Sequence, residues 1–352
     1  MIIRILLINL ALFFVIHICK GQGLNNLWMH GYSNWGGIPY GGTNINLYTG
    51  DTNIYYHYRN LSLNVTHANI EDTNGNLLFY TNGIHIYNWL DTAMENGKYI
   101  NPGFNVTQWL NYGLWIQEGA LILPKPNDSL QYYVFHEAYI NYIVPGALYS
   151  SPLYYSLVAM GYNNGLGKVI QKSIPIINDT LMCGEIVSTK HANGRDYWIL
   201  VHSLLGNKFY KMLLTPQGIS VDTQSIGSNR NLYGGYAKFS LDGSKLAVNS
   251  PSTKIDLYDF DRCTGMLSNH ININNPDSSW RGVGFSNDGT KLYYCSGLLV
   301  YQYDLNATNI AASVDTVAEY DGFTSLYGFE TTFLYPYNGY DGRIYWNCSN
   351  GV

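Results

Sequence analysis

The chain has 352 residues, of which 12% are charged and 46% hydrophobic, with 36 Gly, 11 Pro and 33 Tyr. Charged residues normally make up about a quarter of a soluble chain, and this much apolar material fills a large core, so the composition excludes intrinsic disorder. Nineteen Lys and Arg stand against 24 Asp and Glu, a net charge of −5. The basic residues are scattered, which excludes a stripe that neutralises nucleic-acid phosphates.

In chain order, residues 1–21 predict a secretory signal peptide. Arg4 precedes an apolar run from Ile5 to Ile16, and Cys19-Lys20-Gly21 offers a small residue for cleavage before Gln22. The run of about 12 apolar residues is too short for a membrane span of ~20. Bulky Ile18 before Cys19 argues against lipoprotein processing. Cleavage removes Arg4 and Lys20 and no acid, leaving 17 basic against 24 acidic residues, or −7. No later apolar run reaches membrane length, so the expected product is secreted or cell-surface, without a membrane span. Residues 22–58 read as a loop carrying Trp28, Trp35 and Gly36-Gly37, followed by strands at Ile45–Tyr48 and Ile54–Tyr58.

From residue 59 onward a phrase recurs. Phe239-Ser-Leu-Asp-Gly-Ser-Lys-Leu-Ala-Val-Asn-Ser250 repeats as Phe285-Ser-Asn-Asp-Gly-Thr-Lys-Leu-Tyr-Tyr-Cys-Ser296. Each copy reads as a strand, a tight Asp-Gly turn and a second strand. Looser copies turn at Asn74-Gly75, Asn127-Asp128, Asn193-Gly194 and Asp341-Gly342. The second turn residues, at 75, 128, 194, 243, 289 and 342, are 53, 66, 49, 46 and 53 residues apart. All-strand repeats of this size mark a β-propeller of four-stranded blades around a central channel. Third strands follow at Ile255–Phe260 and Leu299–Tyr303, and fourth strands at Met266–Ile273 and Ser313–Glu319. Aligning these units matches Tyr258 with Tyr301 and Asp261 with Asp304. The fold expected for residues 59–352 is therefore all-β, with six hairpin units visible. The last blade is incomplete at Val352, so either residues 22–58 close it or the chain is a truncated copy of a propeller of seven or more blades. Truncation is the favoured reading.

The Phe-Ser-x-Asp-Gly-x-Lys-Leu phrases, Gly75-Asn-Leu-Leu-Phe-Tyr-Thr-Asn-Gly83, Lys190-His-Ala-Asn-Gly-Arg-Asp-Tyr-Trp198 and Tyr258-Asp-Phe-Asp-Arg-Cys-Thr-Gly265 carry a resemblance. Over most of residues 26–352 the chain resembles secreted, WD-repeat-like β-propeller proteins of gliding, type IX-secreting bacteria. The resemblance implies an extracellular propeller. Such proteins typically continue into further blades and a C-terminal sorting domain, and this chain shows neither. The family has no general catalytic assignment, so no active-site residue carries over.

Motifs for known chemistry fail on inspection. His136-Glu137 begins like a zinc-protease helix, but Ile140 stands where the second His belongs. Glu71-Asp72-Thr73-Asn74-Gly75 lacks the first ligand and the closing Glu of a calcium loop. Asp242, Asp288 and Asp341 each precede a turn Gly, where Asp serves its own backbone. Seven Asn-x-Ser/Thr sites occur, at Asn60, Asn64, Asn105, Asn127, Asn178, Asn306 and Asn347. Cys183, Cys263, Cys295 and Cys348 remain after cleavage, widely spaced, and read as buried free thiols. Cys295 and Cys348 fall at equivalent positions of neighbouring blades, too far apart to bridge.

The channel remains. Polar residues just upstream of the turns, on the expected innermost strands, are His67, Glu118, Glu185, His191, Lys238, Arg281 and Glu330. One expectation is a monomeric, non-enzymatic binding module for protein or glycan, without a cofactor, whose Tyr and Trp rings supply rigid contact area. The alternative is a metal-dependent hydrolase or lactonase-like enzyme. There Glu118, Glu185 and Glu330 would converge on calcium, with His67 or His191 as base. No catalytic residue is assigned.

Overall fold

The computed structural model describes residues 26–31, 41–47, 52–103, 107–140, 149–230, 235–250, 254–274, 276, 281–325, 328–339 and 342–349. The expected signal peptide with Cys19, the Trp35 to Gly37 stretch and Asp341 lie outside the described residues.

The six hairpin units each become an antiparallel sheet. They are β4 (Ala68–Glu71), β5 (Leu77–Thr81) and β6 (Ile86–Asn88); β7 (Ala120–Pro124) to β10 (Lys168–Ile177) through β8 (Gln131–Ile140) and β9 (Tyr149–Ala159); and β12 (Val187–Lys190), β13 (Tyr197–His202), β14 (Gly206–Thr215) and β15 (Gly218–Arg230). Next come β16 (Tyr236–Phe239), β17 (Lys245–Ser250), β18 (Lys254–Asp261) and β19 (Met266–Asn274), then β20 (Val283–Phe285), β21 (Lys291–Cys295), β22 (Leu299–Asp304) and β23 (Asp315–Glu319), and the pair β24 (Phe333–Asn338) and β25 (Ile344–Cys348). Two-residue β11 (Leu181–Met182) pairs with β9. Helical backbone among the described residues is limited to short turns such as Asn163–Gly165 and Ala311–Ser313. The chain is an all-β propeller.

The core explains that arrangement. A strand with two apolar faces must be covered on both, and here each sheet is covered by the next. One cluster joins Leu121, Phe135 and Leu153 to Ile199, Val201 and Met212 across two sheets. Another joins Trp198, Leu200 and Phe209 to Leu246, Val248 and Tyr258. A third joins Ala247, Ile255 and Leu257 to Phe285, Leu292 and Tyr335. The apolar cores thus lie between consecutive sheets, as blade packing requires.

The N-terminal segment forms a sheet of its own: β1 (Leu27–Gly31), β2 (Gly42–Asn46) and β3 (Asn53–His57). These strands pair with one another, and among the described residues they add no strand to β24–β25. On one side, Glu71 Oε2 accepts from the backbone N–H of Asn26 at 2.7 Å and of Leu27 at 3.2 Å. On the other, the Trp28 ring lies 5.3 Å from the rings of both Tyr337 and Tyr345. The first sheet therefore sits between the sheet β4–β6 and the last hairpin.

Two details differ from expectation. The Asp-Gly hairpins are not two-residue turns: Ser240 N–H donates to Lys245 O at 2.9 Å, enclosing four loop residues, with Gly243 at φ +73°. Asp242 Oδ1 accepts from Ser244 N–H at 3.0 Å, and Asp288 Oδ1 from Thr290 N–H at 3.0 Å, so the recurring Asp is a turn brace. The alignment of the third strands was also displaced. Leu246 faces Tyr258 and Leu292 faces Tyr303, so Tyr258 corresponds to Tyr303, and Asp259 to Asp304. A two-residue slip keeps every side chain on its face, which is why alternation alone missed it.

The four described cysteines are free; Cys183 and Cys295 are buried, whereas Cys263 and Cys348 are exposed. The expectation of buried thiols holds for two of them.

Candidate functional site

Side chains from sheets that are not neighbours meet at the centre. Tyr236 on β16 donates its hydroxyl to Glu118 Oε1 at 3.3 Å, just before β7, and its ring stacks 4.9 Å from Tyr335 on β24. Lys238 Nζ lies 5.5 Å from the Tyr337 ring centroid. From the first sheet, His30 approaches Tyr337 at 6.0 Å and His67 at 4.6 Å. Alternation on β16 and β24 aims Tyr236 with Lys238, and Tyr335 with Tyr337, to the same side.

The electrostatics follow from enclosure. His30 is held well below its ordinary value by burial first, then by the charges of His67 and Arg59. His67 is also lowered by burial, while nearby Glu118 opposes the shift. Both rings are therefore neutral near pH 7. His67 Nδ1 is buried with no hydrogen-bond partner among the described residues. Tyr236 and Tyr337 are pushed well above the usual phenol range, by burial first and then by Glu118. Glu118 itself adopts φ +50°, a left-handed backbone that a non-glycine residue enters at a cost.

Of the seven expected channel residues, His67, Glu118 and Lys238 come together here, Arg281 stands at the edge where its charge acts on Tyr335, and Glu185, His191 and Glu330 are held elsewhere. Glu185 Oε1 is ion-paired at 2.9 Å with Arg230, which also holds Asp256 at 2.9 Å. Burial keeps the Glu185 carboxyl up at about 7 against the pull of Arg230. His191 sits in its hairpin turn, where Nδ1 accepts from Asn193 N–H at 3.0 Å, with its ring stacked on Trp198. Arg281 donates to Thr332 Oγ1 and Phe333 O, both at 3.1 Å, and so ties β24 to its neighbour. Glu330 is exposed on the loop before β24, bridged to Thr324. Among the described residues no three His, Cys, Asp or Glu side chains are grouped as a metal ion requires. The three glutamates do not fit one calcium site, because Glu185 is committed to Arg230 and Glu330 to a surface loop.

Trp28, His30, Tyr335 and Tyr337 were not among the expected site residues. His30 and Trp28 lie in a segment read as loop. The alternating Tyr335 and Tyr337 of a final hairpin was the available signal.

No protein-family model matches the chain, and no curated protein matches it. Among solved structures it is similar to the β-propeller domain of Cps50 (Swd1) from Myceliophteria thermophila, at 13% identity over 84% of this chain and 82% of that one, TM-score 0.43. It is similar to the Dos1 propeller at 10% identity over 88% and 70%, TM-score 0.44. The periplasmic gluconolactonase PpgL of Pseudomonas aeruginosa matches at 10% identity over 93% and 99%, TM-score 0.40. At these values the likenesses say nothing about ligand or activity.

Proposed function

We propose that the chain is an exported, monomeric, non-enzymatic binding module that holds a cell-surface glycan or protein at its central mouth, and that a glycan suits the mouth best. One observation carries this reading: Trp28, His30 and Tyr337 present rings beside one carboxylate, Glu118, and one ammonium, Lys238. Rings stack on the apolar faces of sugars, and a few polar groups then fix orientation. Export rests on residues 1–21, and affiliation with type IX-secreting bacteria on the repeated phrases. Among the described residues no helix is long and apolar enough to cross a membrane.

A glycan array with the soluble protein, repeated with Lys238→Ala and Glu118→Gln, tests the proposal. Wild type should bind a defined set of glycans, and each variant should weaken that binding about tenfold, the loss of one charge-assisted contact, with its melting temperature retained. Absence of glycan binding, or binding that both variants leave intact, would overturn the assignment.

A further inference from the structure

A second cleft lies away from the central mouth, where the chain leaves the sheet β4–β6. After β6 the segment turns back on it, with Met94 N–H donating to Ile86 O at 2.9 Å and Ile86 N–H to Gly97 O at 2.8 Å, and it also meets the next sheet: Glu95 bridges Lys168 on β10, and Val169 N–H donates to Glu95 O at 2.9 Å. Asn96 Nδ2 donates to Val169 O at 3.0 Å. Strand β10 is irregular opposite this crossing, with register shifts between Val169 and Gln171 and between Gln171 and Ile174. Within that bulge Ser173 takes φ +54° and is held by Ser156 Oγ and by the Ile100 carbonyl. A bulge re-aims the side chains that flank it. Here it leaves Lys172 lining the cleft.

The cleft is shallow and open to solvent, with a volume of about 450 Å³, and is lined by Ala93, Met94, Asn96, Lys98, Tyr99 and Lys172. Two ammonium groups therefore border one concavity in a chain of net charge −5. Neither has a carboxylate or hydrogen-bond partner among the described residues, although six other lysines are ion-paired. Glu95, the acid on the same segment, is taken by Lys168 at 2.8 Å and by the Asn163 amide at 2.8 Å. His85 lies under the Tyr99 ring at 5.1 Å, and its Nδ1 accepts from Tyr99 N–H at 3.2 Å. Burial first, then Lys98, lowers that imidazole to about 4, so it adds no charge.

Like charges placed together without a counter-ion are stabilised by an anion that spans them. Tyr99 is 56% exposed and offers a ring for a sugar face beside the two cations. The geometry points to a binding site for an acidic saccharide, whose carboxylate or sulfate lies between Lys98 and Lys172 while its ring rests on Tyr99.

The test is titration calorimetry of the purified protein with a galacturonate oligomer, a sulfated galactose oligomer, a neutral galactose oligomer and inorganic sulfate. At least one acidic oligomer should bind and the neutral one should not. Lys98→Ala and Lys172→Ala should each weaken binding about tenfold, and added salt should weaken it further. Lys254→Ala, an exposed lysine elsewhere, should change nothing. Uronate and sulfate arms decide which acid is preferred. Equal binding of the neutral oligomer, binding of inorganic sulfate without either acidic oligomer, no binding at all, or binding unaltered in the Lys98/Lys172 double variant would each overturn the inference. Because Glu118 and Lys238 take no part, failure here is separable from failure at the central mouth.

Discussion

The sheets β16–β19 and β4–β6 begin with the same hairpin and part after the third strand. In β16–β19 the chain turns at Asp261–Gly265 and pairs β19 along β18. After β6 residues 92–97 turn back with only a few hydrogen bonds to it and also reach across to β10, so no regular fourth strand forms before β7. Sheet β16–β19 closes its own hydrogen bonds and buries its inner strands, and only its outer strand β19 leaves Met266 and Ile271 exposed. The second leaves Trp89, Tyr99, Tyr112 and Trp115 exposed at 51%, 56%, 43% and 46%. Regular pairing makes scaffold, and the departure from it makes surface available to a ligand.

The contrast should be sharpest for charge. Arg230 is buried between Glu185 and Asp256, and Asp256 also accepts from His270 at 2.7 Å and Asn272 at 2.8 Å. Arg230→Met strands two buried acids and should cost about 3–5 kcal/mol in urea unfolding. Glu95→Gln, in an exposed pair with Lys168, should leave the urea midpoint close to that of wild type. Similar losses for both would dissolve the distinction.

Acid should act next. Burial depresses His136 and His202 to about 3, and His85 to about 4. The folded state thus takes up these protons later than the unfolded chain, so their contribution is intact above about 6.5 and is lost as pH falls. Between pH 7 and pH 5 the His136 and His202 rings should each cost roughly 2 kcal/mol, and the less enclosed His85 less. Glu185 runs the other way: its folded value is raised, so its contribution is present at low pH and is lost as pH rises toward about 7. Thermal melts of wild type and His136→Gln from pH 7 to pH 5 should show the variant losing less stability; parallel curves would refute the assignment.

Equivalent turns should differ by less. A Cβ at Gly289 meets nothing within 4 Å, whereas one at Gly243 collides with Thr189 Oγ1. Both glycines have φ near +70°, so Gly289→Ala should cost about 1 kcal/mol from backbone strain alone and Gly243→Ala roughly 2. Smallest of all is the exposed pair Lys291–Asp304 at 3.0 Å, where Lys291→Ala should leave the urea midpoint indistinguishable from wild type.

Much of the scaffold was legible because it is local. A strand, an Asp brace, a turn glycine and a second apolar strand are written within twelve residues, and a spacing near 50 repeats them. Lys238, Glu118 and His67 were legible for the same reason, since each stands at or just before an innermost strand. Their convergence was not: Glu185 and Glu330 stand in comparable positions, yet one faces Arg230 and the other a surface loop. The crossing from β6 to β10 was equally hidden, because it depends on a bulge around Ser173 and on contacts between residues about 70 positions apart. Alternation and turn chemistry act between near neighbours and are visible in order along the chain. Which side chains meet at the centre, and which lysines share a cleft, depends on how whole sheets pack, and that was decided only when the apolar faces between them closed.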